Sequence, residues 1–343
     1  MINFFTLNFQ ELEEFLVTNN FKKFRASQIY QWVFKNGEDN FTNMVNLPKD
    51  LRNFLNSNFN IPGLKLVTEQ KSNDGTIKWL FANQDNKKIE TVYIPEEKRG
   101  TLCISSQIGC TLNCKFCHTG TQLLEKNLDI NEIISQIFLA KKLINDFKNS
   151  KKLITNIVFM GMGEPMLNYD NVKKASEILL AKNSFDFSAK KITISSSGII
   201  PKIDQMADDL KVGLAISFHA ANDKTRTEIM PINKKYPIND LLKSCENYAS
   251  KTGQIITFEY VMLKDINDSD IDAKDLIKLT KNLPIKFNLI PFNPWPGVAY
   301  ECSSNNRIHK FSRLLQDAGI YVTIRKNRGN DILAACGQLK SNF

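Results

Sequence analysis

No apolar run in this chain of 343 residues approaches the roughly 20 residues that cross a bilayer. The first residues, MINFFTLNFQELEEF, lack the basic n-region and small-residue cleavage site of a secretory signal. Together these absences predict a cytoplasmic protein with no membrane partner. There is no internal repeat and no low-complexity linker, so the expectation is an ordinary globular chain, large enough for one major core and a smaller satellite domain. The seven cysteines come without an export signal. In a reducing compartment they read as metal-binding or catalytic groups rather than a structural disulfide framework.

Charge is unevenly placed. The formal net charge is +9, but residues 1–95 hold 11 Lys and Arg against 10 Asp and Glu, leaving 34 against 26 for the rest. A polyanion such as nucleic acid would therefore meet the larger C-terminal part, although a Lys- and Asn-rich composition also gives a solvated basic surface without any partner.

Periodicity divides the chain. ELEEFLV, ASQIYQWVF and LPKDLRNFL place apolar residues three and four apart, predicting a small helical domain over residues 1–75. TIKWLFAN and KKIETVYIP alternate apolar positions around QDN, predicting a connecting β-hairpin over residues 76–98. Over residues 99–343, TLCISSQ, ITNIVFMG, KKITISSS, VGLAISFH, IITFEYVML and KFNLIPF alternate with helical patterns. The clearest helix is DINEIISQIFLAKKLINDF, with Asp129 as N-cap, and a last helix and strand, NRIHKFSRLLQDA and IYVTIRK, close the series. The fold class is α/β, a partial six-unit (β/α) barrel, whose chemistry gathers at the C-terminal ends of its strands.

The segment QIGCTLNCKFCHTG spaces Cys110, Cys114 and Cys117 as C-x3-C-x2-C on the loop after the first barrel strand. Thiolates are the ligands of iron-sulfur clusters. Zinc is the competing metal, since a catalytic zinc can use three protein ligands; His118 is adjacent to Cys117 and chelates the same ion awkwardly. Three cysteines without a clear fourth suit a 4Fe-4S cubane with one iron open to a small molecule.

This spacing, with Phe116 before the last cysteine, resembles the signature of the radical S-adenosylmethionine (SAM) superfamily. In that superfamily a segment like FMGMGEP, carrying Gly161, Gly163 and Glu164, meets the methionine amino group of SAM; on their own the glycines would serve a tight turn equally well. Ser195, Ser217 and Asn293 follow at the ends of later strands, where polar residues commonly satisfy turns. Taken with TVYIPEEKRGTLCISSQIGC, SFHAAND, MPINKKYPI, EYVML, NLIPFNPWPG and RGNDILAACGQL, the chain resembles the RlmN family of adenine-C2 methyltransferases acting on 23S rRNA and tRNA. The likeness covers nearly the whole chain and is strongest from Glu90 to Leu339. The related Cfr family, which methylates C8, shares several motifs, but Pro165 after the glutamate and PFNPWPG favour the C2 enzyme.

The resemblance implies a set of roles. Cys110, Cys114 and Cys117 would hold the cluster; Gly163, Glu164, Ser195, Ser217, Phe218, His219 and Asn293 would contact SAM, used twice per turnover. C2 of adenine is electrophilic with a strong C–H bond, so the methyl needs a carrier. Cys336 matches the family's methylated cysteine, Cys103 its resolving thiol, with a transient Cys103–Cys336 disulfide, and Glu90 its proton acceptor. Read without the family, both cysteines are small buried hydrophobes, as Cys245 and Cys302 are still expected to be, and Glu90 a solvated strand carboxylate. Arg325, Lys326 and Arg328 are candidates for phosphates, Phe292 and Trp295 for stacking on a base or for the core. The expected partners are 23S rRNA, tRNA and an electron donor such as a flavodoxin system, and the expected state is a monomer. A C8 methyltransferase and a non-catalytic, metal-stabilised RNA-binding protein are the alternatives.

Overall fold

The computed structural model describes residues 1–61 and 63–340. At the N-terminus, β1 (Ile2–Asn3) pairs in parallel with β2 (Phe59–Asn60). Between them lie α1 (Phe9–Thr18), α2 (Arg25–Tyr30), which continues into a π-helical turn at Gln31–Lys35, and α3 (Lys49–Asn58). The entry to α1 is fixed by reciprocal capping: Asn8 accepts from the Glu11 amide and Glu11 accepts from the Asn8 amide. Aromatic residues fill the centre, with Phe4 at 5.8 Å from Tyr30 and from Phe41 and 6.0 Å from Phe59. Phe5 touches Phe138 and Phe34 touches Phe185 across to the following part, so the helical unit shares one continuous core with the rest of the chain.

Three antiparallel strands come next, β3 (Lys65–Lys71), β4 (Ile77–Ala82) and β5 (Lys88–Glu96). The hairpin expected from the sequence is thus β4 and β5, with an additional edge strand inside the span expected to be helical. β3 is exposed along almost its whole length, and so carries little of the buried alternation by which a strand is recognised. β5 pairs antiparallel with β6 (Arg99–Cys103), setting Val92 opposite Cys103. A small antiparallel ladder, β7 (Gln107–Ile108) with β8 (Lys126–Asn127), brackets the cysteine loop.

From β6 the chain alternates: α4 (Ile130–Leu143), β9 (Asn156–Phe159), α5 (Tyr169–Leu180), β10 (Ile192–Ser196), α6 (Ile200–Asp209), β11 (Gly213–Ser217), α7 (Asp223–Ile229), α8 (Ile238–Thr252), β12 (Ile256–Met262), α9 (Asp270–Thr280), β13 (Ile285–Pro291), α10 (Asn305–Asp317) and β14 (Tyr321–Ile324). Asp129 caps α4 as expected, accepting from the Glu132 amide. The strands form one ten-stranded sheet in the order β14-β13-β12-β11-β10-β9-β6-β5-β4-β3, parallel from β14 to β6. This is the six-unit partial barrel extended by β14, with β14 and β3 as its two edges. Among the described residues no helix is long and apolar enough to cross a membrane.

Candidate active site

The cysteine loop sits at the C-terminal end of β6 and folds largely on itself. The Cys110 amide donates to Gln122 O, the Cys117 amide to Cys114 O and the Gly120 amide to Cys117 O. Two glycines are required there. Gly109 has φ +77° and an added Cβ would lie 2.0 Å from Leu123 O; at Gly120 one would lie 2.8 Å from Cys114 O. Burial raises the pKa of all three thiols, that of Cys110 to about 12, and each interacts electrostatically with another of the set. Buried thiols that resist ionisation in the protein alone become good ligands once iron supplies the compensating charge. Among the described residues no three His, Cys, Asp or Glu side chains close round a single point, whereas a cubane takes each thiolate on a different iron. The donor set fits a 4Fe-4S cluster.

The C-terminal segment packs against this loop. Gly337 O accepts from the His118 amide at 2.7 Å, Leu339 O from Thr119 Oγ1 at 2.6 Å, and Gln338 O lies 3.2 Å from His118 Nδ1. Trp295 stacks on His118 at 4.5 Å between ring centres and donates its indole N–H to Phe116 O, so it supports the cysteine loop. Phe292 is a core residue beside Tyr300.

A cavity of about 620 Å³ runs inside the barrel. Cys103 at the end of β6 and Cys336 in the tail both line it, with Glu259, Asn288, Asn293, Arg325, Lys326 and Arg328 among its other walls. Two cysteines more than two hundred residues apart thus face one space. Both are free thiols, so the disulfide anticipated from the family resemblance is absent from this structure. Burial pushes the Cys103 thiol up to about 12 and raises that of Cys336, while Arg325 opposes both shifts. The Arg325 guanidinium, itself held more firmly protonated by Cys336 and then Glu259, lines the cavity. Lys326 is exposed, at the cavity mouth.

The residues expected to meet SAM lie at neighbouring strand ends. Glu164 is buried, its pKa raised by burial, and its carboxylate accepts from the amides of Met166 (3.0 Å) and Ser197 (2.8 Å). Gly163, at φ +93°, has no room for a Cβ, which would lie 2.4 Å from Gln107 Cβ; packing against β7 already explains the glycine. Ser195 donates to Phe159 O at 2.6 Å. Phe218 stacks on Phe258 within the core, its amide donates to Glu259 O, and its carbonyl accepts from the Ala220 amide and from Arg226, so it shapes the strand end rather than offering an open polar group. His219 adopts φ +60° and accepts from the Val261 amide through Nδ1, and burial lowers its pKa to about 3. Asn293 is the open donor-acceptor group of the set, for its buried Oδ1 has no partner. An unsatisfied buried amide oxygen is costly and suits a bound polar ligand.

Glu90 is fully buried rather than solvated and is not on the cavity wall. Its Oε1 lies 3.1 Å from Lys78 Nζ and its Oε2 accepts from the Lys340 amide at 2.8 Å. Burial raises its pKa and Lys78 opposes the rise. Lys78 escaped sequence reasoning because an isolated lysine in an alternating strand reads as its solvent face. Arg226 was missed too. It is wholly buried in α7 and donates to Ser197 O, Ser217 O and Phe218 O, stitching together the strand ends that carry the SAM candidates, and no sequence signal marks it. Cys245 lies in the core, and Cys302 is partly buried beside Leu263.

A three-thiol loop at the first parallel strand, facing a glutamate and an unsatisfied asparagine at later strand ends, defines a radical SAM protein. A model described as "Radical SAM superfamily" matches residues 104–277, and one described as "Ribosomal RNA large subunit methyltransferase N-terminal domain" matches residues 2–61. A protein of Rhodospirillum rubrum named "Dual-specificity RNA methyltransferase RlmN" is 48% identical over 99% of this chain and 81% of its own length; its namesake from Parvibaculum lavamentivorans is 49% identical over 96% and 86%. The crystal structure of a radical SAM methyltransferase from Sphaerobacter thermophilus superposes with a TM-score of 0.94 at 39% identity, covering all of both chains. The chain belongs to the RlmN family, and its cofactors are a 4Fe-4S cluster and SAM.

Proposed function

We propose that this protein methylates C2 of an adenine in 23S rRNA and in tRNA, with Cys336 as the methyl carrier. The observation that carries the reading is the cavity shared by Cys336 and Cys103, with the Cys336 segment hydrogen-bonded to the cluster loop. When bound, the cluster and SAM supply a methyl group and a hydrogen-abstracting radical. Cys110, Cys114 and Cys117 hold the cluster. Glu164 and Asn293 position SAM, with Gly163, Ser195, Ser217, Phe218 and His219 forming the strand ends around it. Cys336 accepts the methyl on sulfur, loses a hydrogen atom from it, and joins the remaining carbon to C2, tethering base to enzyme. Glu90, whose basicity burial raises, is assigned the C2 proton on the family resemblance; since its carboxylate lies off the cavity wall, held by Lys78 and the Lys340 amide, this step requires the carboxylate to reach the base once RNA is bound. Once the adduct has given up its unpaired electron to the electron-transfer partner and lost the C2 proton, Cys103, as the thiolate, attacks the Cys336 sulfur. The S–S bond forms as the carbon–sulfur bond breaks, the released carbon keeps the electron pair and takes up a proton to become the methyl group, and a cellular thiol reduces the disulfide before the next cycle.

For an enzyme on a base edge, the adenine must leave its stack. The cavity offers Arg325, Lys326 and Arg328 on one wall for the charge of the nucleotide, and the helical unit of residues 1–75 is the part we assign to gripping folded RNA away from the chemistry. The electron donor is a flavodoxin-type system, the protein a cytoplasmic monomer. The test is anaerobic turnover with labelled SAM. Cys336→Ala is expected to transfer no methyl, and Cys103→Ala to accumulate protein crosslinked to RNA. Locating the product methyl by mass spectrometry and NMR decides the position: a product methylated only at C8 would overturn the reading.

A further inference from the structure

We infer that the buried Lys78–Glu90 pair is a latch that fixes both ends of the segment carrying the methyl-bearing cysteine, so that Lys78 is a positioning residue for the reaction; this rests on the role proposed for Cys336. The pair joins two strands of the antiparallel extension. Lys78 on β4 and Glu90 on β5 are 3.1 Å apart with side chains 4% and 0% exposed. From the pair, one bond goes to each end of the segment. Lys78 Nζ donates to Leu333 O at 3.3 Å, and the Lys340 amide donates to Glu90 Oε2 at 2.8 Å, with Cys336 between.

The segment has reason to need holding. Leu333 has φ +51°, a left-handed conformation that a branched side chain avoids and that persists only when surrounding contacts impose it. The carbonyl that Lys78 holds belongs to that residue. Three further bonds reach the preceding turn from the β3–β4 connection: Ser72 Oγ to Asp331 at 2.6 Å, the Asn73 amide to Asp331 at 3.2 Å, and the Gly329 amide to Asp74 at 2.9 Å. Gly329 is pressed there, since an added Cβ would lie 2.9 Å from Thr76 Cγ2. The antiparallel strands therefore aim Cys336 at the cavity, and the ion pair supplies two charge-assisted bonds where the segment is most strained.

A carboxylate serving only as proton acceptor needs no such geometry, and the two roles of Glu90 separate experimentally. Hydrogen exchange, read by mass spectrometry on the anaerobically reconstituted holoenzyme, compares wild type with Lys78→Met, Glu90→Gln, the double variant and Lys78→Arg. Exchange in peptides spanning residues 329–340 is expected to rise about tenfold or more in both single variants, as loss of a bond to a charged group implies. β12 peptides should keep their protection, and alkylation of Cys336 should quicken in parallel. The double variant should open the segment no further than Glu90→Gln, because the two groups act as one unit and no lone buried charge remains. Lys78→Arg should restore most of the protection. Unchanged exchange at 329–340, or a rise matched by β12, would overturn the latch. Absence of a methyl on wild-type Cys336 would instead overturn the role assigned to that cysteine, leaving the exchange result to stand.

Discussion

The two thiol-bearing segments of the site are held in opposite ways. The cluster loop closes largely on itself: the Cys110, Cys117 and Gly120 amides reach carbonyls within the loop and Gly109 and Gly120 let it close tightly, while the Lys115 and His118 amides reach out, to Ile229 O and Gly337 O. The segment Gly329–Lys340 has its short turn at Asn330–Ile332, and is otherwise held by the β3–β5 strands on one side and the cluster loop on the other. A local loop can be completed as soon as its strand forms. A remote tail acquires its geometry only after the whole sheet is assembled. The cluster ligands are thus set mainly by their own loop, while the carrier depends on both the cluster loop and the strands.

That asymmetry can be broken from either side, and the largest effect is expected in the loop. Gly109→Ala forces an L side chain into φ +77° against Leu123 O, and should cost several kcal/mol locally. Iron content and cluster absorbance should collapse; retention of a full cluster would show that the loop tolerates what its packing forbids.

The second effect is acid sensitivity of the strand end facing the loop, where the Phe116 ring meets His219 edge-on. His219 is held neutral, with a folded pKa of about 3 against an ordinary 6.5. The unfolded chain binds the proton first as pH falls, so the contribution is intact above 6.5 and lost progressively between 6.5 and 3. Denaturant titration of the metal-free protein should show this loss, and His219→Asn, which suits φ +60°, should flatten it.

The tail should respond more mildly and without loss of iron. Arg325→Met removes the cation that opposes the raised pKa values of Cys336 and Cys103, so the pH profile for alkylation of either thiol should move to higher pH. The smallest effect is Thr119→Val, which deletes the bond to Leu339 O along with the hydroxyl's contact to Cys117, and should cost about 1 kcal/mol of local stability, visible as faster exchange around residue 339 with iron still bound.

The same asymmetry decides what could be read from the sequence. C-x3-C-x2-C is a local pattern, and its spacing and thiol chemistry pointed to the candidate cluster ligands, with zinc left as the competing metal until the superfamily resemblance is added. The parallel strands were largely legible, since most are buried β-rich runs alternating with helical patterns, and Asp129 announced α4. Cys103 and Cys336 carry no local mark. Only the family resemblance singled them out, and only the folded sheet brings them to one cavity. Lys78 and Arg226 were invisible for the same reason, each owing its role to carbonyls remote in sequence. β3 escaped because an exposed edge strand has little hydrophobic alternation to betray it. The glycines of FMGMGEP were conspicuous, but the structure gives them to packing against Ile104 and Gln107, leaving Glu164 as the group with chemistry to offer.

The central claim is that carbon passes through the sulfur of Cys336 on its way to RNA. It is tested most directly by incubating the Cys103→Ala holoenzyme anaerobically with labelled SAM, an electron donor and substrate RNA, then mapping the crosslinked peptide by mass spectrometry. The account predicts adenine joined through one labelled carbon to Cys336. Labelled 2-methyladenine released with no label passing through Cys336 would contradict it.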